Sequence, residues 1–202
     1  MTKSILQPEI SSKLADLYRR MEEAYDLVAS ELSFTCGGCP DNCCDSYFLH
    51  HTVIEWAYLW EGLSKLSGKE LEKIRAKADD YLEKSRLSLT RGERPAEMCP
   101  ANENGLCSIY HYRLMICRMH GVPSSFTKPD GGRMNFPGCF RCQQLVSGRE
   151  EVPEVERTIM YRELAFLEKD LLLAIRFRGP RIKMTIAEMI VHGPPQFQTG
   201  GM

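Results

Sequence analysis

No stretch of this chain is long and apolar enough to span a bilayer, and the opening Met1-Thr-Lys-Ser-Ile-Leu-Gln-Pro8 lacks the apolar core of a secretory leader. The reading that follows is a cytoplasmic protein with no membrane partner. Charge is equally unremarkable: 26 Lys and Arg against 27 Asp and Glu leave a formal net charge of -1. No global field recruits nucleic acid or an anionic surface. Repeats and low-complexity tracts are missing. So are HExxH, a paired-carboxylate motif and a nucleophile motif, the usual signs of acid–base or covalent catalysis.

What the chain has in excess is cysteine, nine in 202 residues. Reducing cytosolic thiol pools disfavour a disulfide framework, so metal binding is the leading explanation. Cys36-x2-Cys39-x3-Cys43-Cys44 packs four soft donors into nine positions, in a loop of Gly, Pro, Asp and Asn that suits neither helix nor strand. Cys99, Cys107 and Cys117 follow, and Cys139-x2-Cys142 adds a second two-residue spacing. A lone cysteine in a helix is usually a small buried hydrophobe, but Cys36, Cys39, Cys43, Cys139 and Cys142 lie in turn-rich sequence. Neighbouring side chains of an extended segment diverge, so Cys43 and Cys44 can serve one centre or two. Nine thiols supply two four-sulfur sites with one left over, or one site with spectators. The spacing fits neither the Cys-x3-Cys-x2-Cys of radical chemistry nor the closely linked knuckles of a zinc ribbon.

The remaining sequence frames these loops with helices. Apolar residues recur at three- and four-residue steps from Ile10 to Leu32. Thr52-Val-Ile-Glu55 has capping-box form ahead of a second helix carrying Trp56 and Trp60, read as core. A third runs from Lys69 to Leu89 and is expected to hairpin onto the second. Residues 91–105 read as loop, and Ser108 to His120 carries mixed signals. Pro129-Asp-Gly-Gly132 between Ser125-Phe126 and Met134-Phe136 predicts a hairpin. A long helix is expected from Pro153 to Phe177 on Val155, Ile159, Leu164, Leu167, Leu171 and Leu172, and a short one from Thr185 to Val191. The expected fold is a single domain, mostly α with a small β-hairpin and metal-pinned loops. Along the chain it divides into an N-terminal helix (1–35), a cysteine-cluster metal-binding domain (36–142), C-terminal helices packing on it (143–192) and a flexible tail (193–202).

From Cys36 to Cys142 the order of motifs resembles the YkgJ-type cysteine-cluster family, the CxxCxxCC zinc- or iron-chelating domain. Carrying the resemblance are the Cys36/Cys39/Cys43-Cys44 opening, Cys99, Asn104-Gly-Leu-Cys107-Ser-Ile-Tyr110, Arg113-Leu-Met-Ile-Cys117-Arg118 and a distal Cys139 or Cys142. Two departures are plain: three residues rather than two separate Cys39 from Cys43, and Leu114 stands where the family has proline. The resemblance implies eight ligating cysteines: Cys36, Cys39, Cys43, Cys44, Cys99, Cys107, Cys117 and one of the final pair. The cofactor is Zn2+ or an iron–sulfur cluster, which sequence does not separate. A related cluster occurs in the larger flagellin lysine methylases, and no methyl-donor site is legible here.

Around the thiols, Arg113 and Arg118 flank Cys117 and read either as cations offsetting thiolate charge or as surface ion pairs. Tyr110 reads as a core aromatic rather than a proton donor. His111 and His120 are alternative ligands, and His50-His51 reads as surface or capping. The run Arg176, Arg178, Arg181 and Lys183 suits the negative end of the long helix. The functional expectation is a metal-binding protein with a structural or electron-transfer role. Its rivals are a metal-dependent enzyme and a zinc-stabilised module for a protein partner, with RNA disfavoured by the charge.

Overall fold

The computed structural model describes residues 6–37, 43–177 and 179–196, with the side chain of Cys43 left out. Its elements are α1 (Pro8–Glu31), a single 3-10 turn (Cys43–Asp45), α2 (Val53–Leu63), α3 (Gly68–Thr90), β1 (Asn102–Glu103), β2 (Leu106–Cys107) and a second 3-10 turn (Tyr110–Tyr112). Then come α4 (Met115–Met119), β3 (Ser124–Thr127), β4 (Arg133–Phe136), α5 (Phe140–Val146), β5 (Val155–Glu156), α6 (Thr158–Ala174) and α7 (Ile186–Val191). The chain is mostly helical with two small sheets. Among the described residues no helix is long and apolar enough to cross a membrane. Contacts group the chain into two compact units. The first draws on Met1–Ser11, Cys44–Leu114 and Glu168–Met202, the second on Ser12–Cys43 and Met115–Leu167.

The first unit is built on hydrocarbon. Leu59, Trp60 and Leu63 of α2, Ile74, Ala78 and Tyr81 of α3, and Ala187, Met189 and Ile190 of α7 form one buried cluster with Ala101, Ile109 and Leu114. The Trp60 indole donates to Met189 O at 2.8 Å, so a large apolar body is buried without orphaning its N–H. Helices α2 and α3 pack in this one cluster, with Arg75 of α3 over the Trp60 ring, and α3 also packs on α7. Ser67 and Glu70 close a capping box on α3, and Thr185 and Glu188 close another on α7.

Helix α2 departs from its sequence signature. Thr52 makes no side-chain bond to the helix backbone, its hydroxyl donating instead to Glu55 at 2.7 Å. The first N–H groups, of Val53 and Ile54, are taken by the Glu168 carboxylate at 2.9 and 2.8 Å. A carboxylate bridging two orphan donors does the work of a cap and suits the positive end of the helix. Burial pushes the Glu168 carboxyl up, and the two backbone N–H groups pull against that shift.

The second unit holds most of α1 and a small sheet. β3 pairs antiparallel with β4 in the register Ser124↔Phe136 to Thr127↔Arg133, which is the expected hairpin, and parallel with β5. Phe126 lies 4.9 Å from the Tyr161 ring and 6.2 Å from Phe136, and the Arg157 guanidinium sits 4.1 Å over Phe136. Burial pushes the Arg157 guanidinium down in pKa. The long C-terminal helix begins at Thr158 rather than Pro153, because Val155 and Glu156 are used by β5. Ile159, expected in its buried stripe, is 64% exposed, whereas Leu164 and Leu171 are buried.

Candidate metal centre

In the first unit three thiol-bearing residues are placed largely by backbone. Cys44 lies in the 3-10 turn, and its carbonyl accepts the Cys99 N–H at 2.8 Å, tying the opening loop to a residue 55 positions on. Cys99 O in turn accepts the Asn102 N–H at 2.9 Å, which starts β1. The ribbon that follows pairs Asn102 with Cys107 and turns through Asn104 (φ 52°) and Gly105 (φ 87°). Two successive positive φ values are what a two-residue hairpin of the primed type requires, and Asn-Gly supplies them at least cost. Asn102 Oδ1 accepts the Gly105 N–H at 3.0 Å and steadies the turn.

From α3, Lys77 reaches Asn102 O at 2.8 Å and Glu103 at 2.7 Å, with Lys73 also on Glu103 at 2.6 Å. The hydrogen bonds from Lys73 and then Lys77 hold the Glu103 carboxyl at about 2. Cys99 and Cys107 are half-buried against the apolar cluster. Burial pushes the Tyr81 hydroxyl up to about 12, with smaller contributions from charge at Cys99, Tyr47 and Glu188.

In the second unit the placement is more varied. Cys36 is exposed, with the Tyr25 hydroxyl 4.0 Å from its sulfur. Cys117 is half-buried on α4. Cys139 is the N-cap residue of α5 without a side-chain capping bond, and its N–H donates to Gly121 O at 2.9 Å. Gly138, at φ 84°, and Gly121, at φ 136°, make this approach possible, since a Cβ on Gly138 would collide with the Gly121 carbonyl and one on Gly121 with the Tyr25 hydroxyl. Cys142, one turn on, is fully buried. Burial raises its thiol pKa, charge at Cys139 and at Cys36 adds to the rise, and Arg149 opposes it. Cys36 and Cys139 thus each lie within electrostatic reach of Cys142.

Cys39 and the side chain of Cys43 fall outside the described residues. Cys36, Cys44, Cys99, Cys107, Cys117, Cys139 and Cys142 are thiols rather than disulfides. Among the described residues no three His, Cys, Asp or Glu side chains stand close enough to hold one metal ion. Thiols are soft donors of the kind a thiophilic metal takes, and the described ones include Cys44 on a 3-10 turn, Cys107 on a strand, and Cys117 and Cys142 on helices.

The supporting residues differ from their sequence readings in part. Arg118 is 6% exposed, pairs with Glu22 at 2.6 Å and covers the Tyr18 ring at 4.6 Å, so it is no surface cation. Arg113 lies 3.6 Å over the Tyr110 ring, and Tyr110 is 52% exposed rather than core. His50 is buried rather than superficial, its backbone bridged to Met184, while His51 is exposed. His111 sits edge-on to Tyr110 and is exposed, and His120 is half-buried. Arg176 follows the end of α6, and Arg178 is outside the described residues. Sequence reasoning missed Glu168, whose partners are 115 and 114 residues away. It also missed Arg141, a cation set inside the Cys139-x2-Cys142 spacing.

No family model matches the chain, and no curated protein or solved structure matches it either.

Proposed function

We propose that this chain is a metal-binding cysteine-cluster protein of the YkgJ type, holding zinc or an iron–sulfur cluster in a structural or electron-transfer role. The observation that carries the reading is the 2.8 Å bond from Cys99 N–H to Cys44 O. It brings two cysteine segments far apart in sequence side by side, as a shared centre requires. The Cys36, Cys139 and Cys142 neighbourhood in the second unit supports it independently. Bound zinc would cross-link the loops, and a cluster would add one-electron chemistry.

The test is anaerobic purification followed by elemental analysis and an absorption spectrum. Bound zinc without visible absorption assigns the structural role, and iron with sulfide and a broad visible band assigns electron transfer. The metal-to-protein ratio counts the centres. Structural zinc is worth roughly 10–16 kcal/mol in small sites, so chelation is expected to lower the melting temperature steeply. A chain that purifies without metal, and whose melting curve ignores both added metal and chelator, overturns the proposal.

A further inference from the structure

Within the second unit, Ser33, Phe34, Thr35, Arg141, Gln144 and Leu145 line a cavity of about 330 Å³. Its walls come from the end of α1 and the outer face of α5. Ser33 leaves α1 at φ 53°, a left-handed conformation unusual for a side-chain-bearing residue, and Phe34 N–H closes back on Ala29 O at 2.7 Å. The turn fixes Phe34 and Thr35 where the helix stops. Thr35 Oγ1 accepts the Gly37 N–H at 3.1 Å, leaving its own proton to donate.

Arg141 is the decisive residue. Its Nη1 is buried and has no hydrogen-bond partner among the described residues. A guanidinium nitrogen taken out of water with no acceptor carries an uncompensated desolvation cost, and buried polar groups in folded proteins nearly always find a partner. The neighbouring donors are hydroxyls and a carboxamide, and the rest of the lining is apolar, from Phe34 and Leu145. Among the described residues no lining side chain is acidic, so none of these competes with an anionic guest.

The geometry points to a binding site for a small organic carboxylate with an apolar body. The carboxylate draws the half-buried Arg141 side chain round so that its unpartnered Nη1 turns to the guest, the Ser33 and Thr35 hydroxyls and Gln144 amide complete its hydrogen bonds, and the body lies on Phe34 and Leu145. The volume stands at the lower end of the range for small-molecule sites and admits one such molecule. The site needs no metal and does not rest on the proposed function, although Arg141 is adjacent in sequence to Cys142.

The test is isothermal titration of the full chain, as purified, with benzoate, with neutral benzamide and with inorganic phosphate. Benzoate is expected to bind, benzamide not to bind, and phosphate to bind more weakly because it has nothing to lay on Phe34. Arg141→Met is expected to weaken benzoate binding roughly tenfold or more, the effect of losing a charge-assisted pair. Gln144→Glu changes an exposed residue and leaves the core alone, so it keeps the test decisive should Arg141→Met fail to fold. Its added carboxylate is expected to occupy Arg141 and abolish binding. No benzoate binding at its highest soluble concentration overturns the inference. So does equal binding by benzamide or phosphate, or benzoate binding unchanged by Gln144→Glu.

Discussion

Cys99 and Cys142 show how differently the two units treat a thiol. Cys99 is half-buried, its N–H and carbonyl both spent on other residues, on the flank of a large hydrocarbon cluster. Cys142 is wholly buried on a seven-residue helix, and its surroundings raise its thiol pKa. Cys99 is fixed through its backbone, with its side chain half-buried against the cluster. At Cys142 the sulfur itself is part of the packing. The same residue type is therefore expected to depend differently on a bound metal, and most at exposed Cys36.

The comparison breaks most visibly at Trp60. Trp60→Ala removes a buried indole and its bond to Met189 O, and is expected to cost about 3–5 kcal/mol, read from the urea midpoint. Because the cost falls on the hydrocarbon cluster, it should be the same in metal-loaded and metal-stripped protein. A loss seen only in stripped protein would mean that metal, not packing, holds the first unit.

The pair at α5 sharpens the contrast. In metal-stripped protein, Cys142→Ser places a hydroxyl in a fully buried site and is expected to cost about 1–3 kcal/mol. Cys139→Ser puts a favoured capping residue where the native side chain makes no capping bond, and is expected to be neutral or to stabilise by up to about 1 kcal/mol. If the proposed metal is bound, the two changes are expected to lose it unequally, since the YkgJ-type pattern that the sequence resembles asks for one distal thiol. Equal and complete loss from both would give both thiols the same standing.

A smaller effect follows from His50, which burial holds below the ordinary histidine pKa, with Glu55 opposing and His51 adding to the shift. The folded protein binds this proton less readily than the unfolded chain does. Stability is therefore full above about pH 6.5, the unperturbed value, and falls as pH drops through 6.5 toward the lowered folded pKa. Urea midpoints at pH 7.5 and about pH 5 measure the slope, and His50→Phe is expected to flatten it. An unchanged slope in that variant would show that other groups dominate this pH window.

The hairpin of β3 and β4 is legible in Pro129-Asp-Gly-Gly132, and α1 and α3 in apolar periodicity. The capping boxes that close α3 and α7 went unread, and the one read, at Thr52, does not form. The β1–β2 ribbon was missed although Asn104-Gly105 is a strong hairpin signal, because strands of two residues leave no alternation beside it. The β5 strand was absorbed into the following helix for the same reason. Glu168 as the cap of α2 has no local trace, since a cap supplied from another helix obeys tertiary geometry alone. The cysteines were legible as a set from their turn-rich settings, but their division between units was not. Sequence spacing places Cys43 beside Cys44, and only contacts reveal that the division falls between them.

The close approach of Gly121 and Gly138 has a consequence for how this protein can change over generations. Each has a positive φ, and each faces an obstacle where a side chain would begin, a carbonyl for Gly138 and a tyrosine hydroxyl for Gly121. Since Cys139 hangs on the Gly121 carbonyl, its location is set by atoms no substitution can shorten or swap. A side chain at Gly138 meets backbone and has nowhere to go, whereas one at Gly121 has first to displace the Tyr25 hydroxyl. The seat of Cys139 is therefore less tolerant of change than exposed Phe140 beside it.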